Sequence, residues 1–412
     1  MIHHFTRATR HLLFWSLIAA AVGISVLRLL LADIADYRLL LEQQIRKTTQ
    51  IPLHIGHISA GMRGLDPEIL LNDIHVDAFD SNKPPSIQLQ EVRIGLGVLD
   101  LLLTRDWLSS SWVTLVGAKI DVIRNADGRI LIKGLQASDE QPTWLLQGGK
   151  YELLNSDISW LDLQQGREAV HFQGLDVLLK NHYFDQSHEI HLLSALPREY
   201  GESLRISARL SGNLFETSAI DGQVYVEATD LQAPALLGGH LPLGLSLHSG
   251  AGDFRIWSEW QDSKPHHIVG YVQAQQVKLQ RDAGKTLQLD TFEGNFAWSQ
   301  TAECWRFAAY DLDIVAQHQR WSDAEFYLQQ STTGDLSAFI GQLDLPALMY
   351  LSVLIQPQDS HHADWLAVNP RGRLRDVRFY ANGDFQHYAL SGHFDDVGTD
   401  HYQGIPELRH LS

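Results

Sequence analysis

The sequence is poor in cysteine and in basic residues. Cys304 is the only cysteine, so the chain has no intrachain disulfide, no CxxC redox motif and no thiolate zinc site. Lys and Arg total 32 against 49 Asp and Glu, which gives a net charge of -17. No stripe of clustered Lys and Arg is present. Because phosphate backbones are bound mainly by such clusters, the balance argues against a nucleic-acid partner.

The sequence also lacks the short motifs of common enzymes. It contains no HExxH helix, no GxSxG elbow and no GxxxxGK[ST] loop. Of the 21 histidines, the pairs His54 with His57 and His188 with His191 are three positions apart on predicted strands. That spacing places each pair on opposite faces, where the two rings do not chelate one ion. No catalytic residue, cofactor or metal is predicted.

One hydrophobic run is long enough to cross a membrane. It covers residues 12–32, about 21 residues, and as a helix would span ~31 Å, close to the ~30 Å hydrocarbon core. Arg28 lies near one end, where its side chain can reach the head groups. A cleaved signal peptide is the alternative, but the run continues for roughly ten residues past Ala19, Ala20 and Ala21, longer than cleavage needs. The predicted anchor side chains are Leu12, Leu13, Phe14, Trp15, Leu17, Ile18, Val22, Ile24, Val26, Leu27, Leu29 and Leu30.

Charges beside this run predict its orientation. Arg7 and Arg10 precede it and Asp33 and Asp36 follow it, so the positive-inside rule places the N-terminus in the cytoplasm and the body across the membrane. Apolar residues at helical spacing then predict an amphipathic connector. The predicted organisation is a cytoplasmic N-terminus at residues 1–11, a span at 12–32, a connector helix at 33–50 and a β-rich body at 51–412.

The body alternates apolar and polar residues with period two, as strands do. Leu204, Ile206 and Leu210 fall on one face of a predicted strand, and Val224 and Val226 fall on one face of the next. No alternation of strands with helices is visible, which removes most nucleotide-binding folds. Similar runs recur at Ile87 to Val92, Val113 to Val122, Ile130 to Ile132, Val170 to Leu179, Val277 to Leu279, Leu287 to Phe292, and Phe296 to Trp298.

The predicted fold class is mainly β. The body has room for about 25 strands, and at ~4.8 Å per strand one antiparallel sheet would extend ~120 Å, which requires twist and curl. Short helices are expected near Val98 to Thr104, which also suits a strand, and at Leu345 to Ile355. Alternation leaves two arrangements open. The apolar faces either close on each other as sandwich cores or remain accessible as a groove.

Arg371, Arg373 and Arg375 alternate and form three cations on one face if this stretch is a strand. One interpretation is a solvated or salt-bridged edge, and the other is a rim that contacts lipid phosphates.

Four separated segments resemble the YhdP family of AsmA-like proteins. After the single span and Asp36-Tyr37-Arg38, IPLHIGHISAGMRGLDPEILLNDIHV resembles the opening module of AsmA-like proteins. RNADGRILIKGL and WLLQGGKYELLNSDISWLD are similar to the next segments of the YhdP family, and AVNPRGRLRDVRF is similar to a later one. The order of the segments follows that of the family. Members are about three times longer, so the resemblance implies an N-terminal portion truncated at its C-terminus.

The resemblance implies an inner-membrane anchor, a periplasmic body and a long curled sheet with an apolar groove. It further implies binding of phospholipids and their conduction toward the outer membrane, which supports the barrier function of that membrane. Leu204, Ile206, Leu210, Val224 and Val226 are the candidate groove residues. The partners expected are phospholipids, the inner membrane and other envelope proteins, including those of the outer membrane.

Two other functions are weighed against the conduit. One is a structural or assembly factor for outer-membrane biogenesis that holds no lipid. The other is an enzyme that acts on envelope glycans, which is disfavoured because no acid/base pair is identifiable. The protein is therefore not expected to be an enzyme.

Overall fold

The fold is described from a computed structural model of the 412-residue chain. It describes residues 14, 15, 18, 22, 25, 37–49, 53–76, 87–126, 130–133, 144–164, 166, 168–214, 219–232, 234–235, 240–241, 245–281, 286–316, 319–347, 369–384, 386–401 and 408–411. The chain forms two compact units, Met1–Ala195 and Leu196–Ser412. Both are mainly β, as the alternation predicts.

In the described part of unit 1, bounds are defined for nine strands and three helices. In chain order they are α1 (Arg38–Thr49), β1 (Leu53–Arg63), β2 (Asp66–Val76), β3 (Ile87–Leu96), α2 (Val98–Thr104), β4 (Ser111–Val116), β5 (Lys119–Arg124), β6 (Ile130–Ile132), α3 (Trp144–Gln147), β7 (Lys150–Asp162), β8 (Val170–His182) and β9 (Ser187–Ala195). The helix α1 lies within the predicted connector. The segment Val98 to Thr104, which suits either a helix or a strand by its sequence, forms the helix α2.

The core of unit 1 lies under α1. The strands β1, β2 and β3 form an antiparallel meander whose buried side chains include Ile55, Ile58 and Ile74, with at most 2% of their surface exposed. Leu41 of α1 packs against this cluster. Two hydrogen bonds fix the helix, because Arg38 Nη1 donates to the Ile55 carbonyl and the Ile55 N–H donates to Glu42 Oε1, both at 2.8 Å.

The expectation of a purely antiparallel sheet is wrong for unit 1. The strands β4 and β5 both pair in parallel with β7, while β7 pairs antiparallel with β8. Parallel neighbours need a long crossover connection. The connection from β5 to β7, which contains β6 and α3, is long enough to return the chain to the starting end of β4. The predicted strand at Val113 to Val122 is accordingly two strands, divided at Gly117 with φ of 61°.

Unit 2 is an antiparallel meander in every pairing that the structure describes. Its strands are β10 (Ser203–Ser211), β11 (Asp221–Gln232), β12 (His240–Leu241), β13 (Leu245–Gln261), β14 (Lys264–Arg281), β15 (Thr286–Gln300), β16 (Cys304–Ala316), β17 (Gln319–Ser331), β18 (Leu336–Asp344), β19 (Arg371–Ala381), β20 (Tyr388–Thr399) and β21 (Leu408–Leu411). Apart from β12, which pairs with β13 beside β11, each strand pairs with its neighbours in sequence.

Both units repeat one local device, a residue with positive φ in the middle of the strands. The residue two positions before it and the residue one position after it are usually both apolar. Apolar side chains, which are two positions apart elsewhere in the strand, are therefore three positions apart across it. Beside Asp311, for example, three steps from Ala309 to Leu312 face two steps from Phe326 to Ala324. This is a β-bulge. The positive-φ residues are Asp73, Gly117, Asn155, Gly174, Asp230, Gln276, Asp311, Asp323, Asp376 and Asp396.

Asp, Asn and Gly suit these positions because they tolerate left-handed backbone better than other residues do. Neighbouring strands stabilise some of the bulges, since the Asn155 N–H donates to Asp176 Oδ1 at 2.7 Å and the Asp230 N–H donates to Asp253 Oδ1 at 2.8 Å. The extra residue keeps Leu231 on the face of Ala228, where its side chain is buried. Bulges therefore preserve one apolar face while they bend each strand.

Several predictions concern segments of which the structure describes few residues. Of the predicted anchor, Phe14, Trp15, Ile18 and Val22 are helical and exposed, and Leu12, Leu13, Leu17, Ile24, Val26, Leu27, Leu29 and Leu30 lie outside the described residues. Among the described helices, none has the length and apolarity to cross a membrane. Residues 345–347 are helical, and the rest of the predicted helix at Leu345 to Ile355 lies outside the described residues.

Candidate apolar groove

The five candidate groove residues share one face of β10 and β11. Ile206 pairs directly with Val226, Leu204 is opposite Ala228, and Leu210 is opposite Gly222. Val224 faces Ala208 in the same register. Residues directly opposite in an antiparallel pair project to the same side of the sheet. The structure thus brings the predicted set together.

This face continues across unit 2. Starting at Ile206, each directly paired residue on the adjacent strand is apolar or glycine. The pairs cross the nine strands β10, β11 and β13 to β19, or about 38 Å at ~4.8 Å per strand. We call these nine residues the apolar row. They are Ile206, Val226, Ile256, Gly270, Phe296, Ala309, Phe326, Ile340 and Val377.

The apolar row is partly exposed along its whole length. None of its nine residues is buried and none is fully exposed. A sandwich core behaves differently, because a second sheet packed about 10 Å away removes inward side chains from water. The apolar row is therefore accessible to solvent or to an apolar guest, whereas Leu231 and Leu312 on the same face are buried.

A cavity of about 340 Å³ opens on the same face beside the row. Ligand pockets typically measure about 300 to 1,000 Å³ and are lined mainly by apolar side chains. The cavity has room beside Gly250, Ala251 and Gly252 because these residues have little or no side chain. The apolar side chains that line it are Leu231, Leu247, Phe254, Val272, Val277, Leu279, Leu289, Phe292 and Ile314.

Bulges and a small core cluster shape this cavity. Leu231 and Val277 each follow a bulge residue, Asp230 and Gln276, which returns their side chains to the apolar face. One wall is formed by a cluster of buried side chains that includes Leu289 and Ile314. The wall is rigid packing, and the rest of the cavity is open sheet surface.

The opposite face of the same strands mixes charged groups with a row of apolar and aromatic residues, in which Tyr225, Trp257, Val269, Ala297 and Ala308 pair in turn. Glu227 lies 3.4 Å from both Arg205 and Arg255, and the Arg255 guanidinium lies 5.9 Å from the centre of the Tyr271 ring. The Tyr271 hydroxyl donates to Glu293 Oε1 at 2.8 Å, and this hydrogen bond raises the pKa of Tyr271. The two faces therefore differ in charge, since the ion pairs of Glu227 lie on the opposite face and the apolar row carries no charged side chain.

The three candidate head-group residues are exposed and each has an acidic partner. Arg371 forms a salt bridge with Asp400, Arg373 lies 3.8 Å from Asp344, and Arg375 lies 3.6 Å from Asp395. These acidic partners favour the interpretation of the three arginines as a salt-bridged edge. Exposed pairs of this kind are weak and exchange readily with other anions. A contact with lipid phosphates stays a prediction.

Sequence reasoning missed the cavity and the bulges, although a signal for both is present. A four-residue pattern marks the bulges: an apolar residue, any residue, Asp and a second apolar residue. It recurs at Ala309 to Leu312 and at Leu374 to Val377. Within the described part of the chain, no group of three or more His, Cys, Asp or Glu side chains is placed to hold a metal ion.

The family model described as YhdP protein matches residues 1–412. No curated protein and no solved structure matches the chain. The match covers the whole sequence, as the resemblance of the four segments predicts. The chain therefore belongs to the YhdP protein family.

Proposed function

We propose that this chain binds phospholipid acyl chains on the apolar face of unit 2 and conducts them between the membranes of the cell envelope. In this proposal residues 12–32 anchor the chain in the inner membrane, the N-terminus is cytoplasmic and the body is periplasmic. The protein acts as a carrier surface and not as an enzyme. Membership of the YhdP family is consistent with an envelope-related function.

The observation that supports the proposal best is the apolar row. A lipid that moves along a protein needs hydrocarbon contact at every step, and the row presents apolar residues or glycine on nine successive strands without interruption. The partial exposure of all nine residues leaves that contact available.

Energetics favour such a surface. Exposing an acyl chain of about 16 carbons to water costs ~0.8 kcal/mol per CH₂, or ~13 kcal/mol, which makes free diffusion through an aqueous compartment very slow. A continuous hydrocarbon face removes most of that cost. The charged groups of the opposite face, such as the Arg255 and Glu227 pair, keep the sheet soluble on its other side.

Head groups are expected to remain in water at the edge of this face. Arg371, Arg373 and Arg375 are the proposed contacts for lipid phosphates, because each is exposed and held only by an exposed ion pair. They alternate with Leu374 and so lie on the face opposite the apolar row, which a head group reaches only from the other side of the sheet. Replacing all three by Gln is expected to lower lipid capture about twofold to fivefold with unchanged protein level. Unchanged capture would assign these residues to the salt-bridged edge alone.

Photo-crosslinking from the two faces tests the proposal. A benzophenone amino acid at Phe296 lies on the face of the apolar row, and the same amino acid at Trp257 lies on the opposite face. Both positions carry an aromatic ring in the native chain, so the control is matched in size. Adducts formed in cells would be identified as phospholipid by mass spectrometry of the purified protein.

Phospholipid adducts at Phe296 with few at Trp257 are the expected result. Equal yields at both positions would indicate unspecific contact with membranes, and adducts confined to protein would overturn the proposal. The remaining candidate would then be the scaffold function, an anchored assembly factor without lipid. Native mass spectrometry adds an independent reading, since co-purified phospholipid favours the conduit and an empty protein favours the scaffold.

A further inference from the structure

Large apolar side chains project into solvent at one end of the strands of unit 1. Leu99, Leu102 and Leu103 lie on α2 at helical spacing and are 63%, 70% and 72% exposed, and Trp107 follows at 69%. Leu65 and Phe184, on two hairpin turns, are 53% and 79% exposed. Together with the neighbouring Tyr183, these residues form what we call the apolar rim. Its members are Leu65, Leu99, Leu102, Leu103, Trp107, Tyr183 and Phe184.

The topology places all these residues at the same end of the sheet. The β1 to β2 turn lies beside the end of β3, because Glu68 pairs with Gly95, and α2 connects that end of β3 to the start of β4. The parallel pairing of β4 with β7 brings the start of β7 to this end, and with it the β8 to β9 hairpin. The rim therefore follows a row of strand ends.

Polar bonds hold α2 so that its leucines face outward. The Val98 N–H donates to Asp66 Oδ1 at 2.8 Å, and the Gly97 N–H donates to the Ser110 carbonyl at 2.8 Å. Arg105, with φ of 56°, ends the helix. The N-terminal end of α2 is thus tied to unit 1, and its leucines face outward.

Charges at the rim are arranged with cations outward. Arg63, Arg105 and Lys180 are exposed, whereas the carboxylates of Asp106 and Asp185 accept backbone hydrogen bonds from Leu108 and Ser187 in their own turns. The Asp66 carboxylate likewise accepts a hydrogen bond from the Val98 N–H at the start of α2. Asp100 is the exposed acid on that helix. Three exposed cations against two exposed acids, Asp100 and Asp185, contrast with the net charge of -17 for the chain.

We propose that the apolar rim inserts into the surface of a phospholipid bilayer. Leucine and phenylalanine reach the acyl boundary, tryptophan and tyrosine favour the head-group level, and arginine and lysine meet anionic phosphates. A row of separate convex tips suits a fluid planar surface, whereas protein and small-molecule sites need matched, mostly concave contact. The rim would seat unit 1 on a membrane independently of the predicted anchor.

A depth measurement on the full chain tests this inference. Cys304 is the only cysteine, so the Cys304→Ser background allows a single fluorescent label at Leu103→Cys. Leu163→Cys is the matched control, since Leu163 is 50% exposed and lies past the far end of β7, roughly 40 Å along that strand at ~3.3 Å per residue. Each protein is reconstituted into phosphatidylethanolamine and phosphatidylglycerol vesicles that contain nitroxide-labelled lipid.

The expected result is at least twofold quenching and a blue-shifted emission at position 103, with water-like emission at position 163. Both labels are attached to one anchored chain, so anchoring alone does not produce the difference. Water-like emission at position 103, or equal quenching at both positions, would overturn the proposal. Because Leu103 is 72% exposed, the label leaves the fold intact, and lipid binding by unit 2 is tested separately by the Phe296 crosslink.

Discussion

The two units use the same alternating strands in different ways. In unit 1 the meander of β1 to β3 has a covering helix, and Ile55 and Ile58 are 0% and 2% exposed. In unit 2 the corresponding face runs over nine strands, and Ile256 and Phe296 in the middle of that face stay partly exposed. Strand sequence alone therefore does not decide between a core and a groove. In unit 1 the covering helix α1 contributes Leu41 to the core, while in unit 2 the buried cluster of Leu289 and Ile314 is packed by residues of neighbouring strands.

The largest expected effect comes from a cavity in the covered core. Ile55→Ala should lower the free energy of unfolding of unit 1 by about 2 to 5 kcal/mol, whereas Ile256→Ala should cost unit 2 about 1 kcal/mol, because much of that side chain is already in water. Hydrogen exchange read strand by strand in increasing urea would measure both. Equal losses would mean that the face of unit 2 is as closed as the core of unit 1.

Bulges should matter equally in both units. Asp73→Ala and Asp311→Ala each force alanine into left-handed backbone and should cost about 1 to 2 kcal/mol, while the corresponding glycine variants should be close to neutral. Asp313→Ala, two residues from Asp311 and salt-bridged to Arg320, is the control and should have the smaller effect. Urea unfolding monitored by hydrogen exchange is the measurement, and a glycine variant as unstable as the alanine variant would contradict the bulge argument.

The smallest effect is a pH dependence confined to unit 1. Glu189 lies 2.8 Å from His191 and 3.3 Å from His182, and these hydrogen bonds, that from His191 first, lower its pKa. Since the pKa of Glu189 is lowered in the folded state, its ionised carboxylate stabilises unit 1 fully above the ordinary glutamate pKa of about 4.3. This stabilisation is lost as pH falls through the lowered pKa.

Glu189→Gln should remove this contribution. Its exposure limits the effect to less than about 1 kcal/mol. The difference in melting temperature between the parent and Glu189→Gln should be larger at pH 6 than at pH 3. A difference that grows on acidification would reverse the sign and reject the explanation.

Local patterns predicted the strands and one part of the groove. The alternation in Leu204 to Leu210 and in Val224 to Val226 is enough to place those side chains on one face, and the structure agrees. The nine-strand row could not be read in the same way, because it depends on which residue of each strand lies opposite which residue of the next. Bulges alter that register by one residue at positions such as Asp230 and Asp376.

Long-range pairing was the main failure of sequence reasoning. Thr114 and Glu152 contact each other across 38 positions in the parallel part of unit 1, and no local pattern indicates that pairing. The apolar rim was missed for the same reason. Leu65, Trp107 and Phe184 are far apart in sequence. The pairing of β2 with β3 places the first two at one end of the sheet, and the crossover between β5 and β7 brings Phe184 to the same end.

The order of strands in unit 2 has a kinetic consequence. Most strands from β13 to β18 pair with the strand just before and the strand just after, so the loops that must close during folding are short. Proteins rich in local contacts fold faster than those that must first bring distant segments together. As the polypeptide is delivered in sequence, each hairpin can form as soon as its second strand is available. Unit 1 must wait for β7 before β4 and β5 are paired along both of their edges.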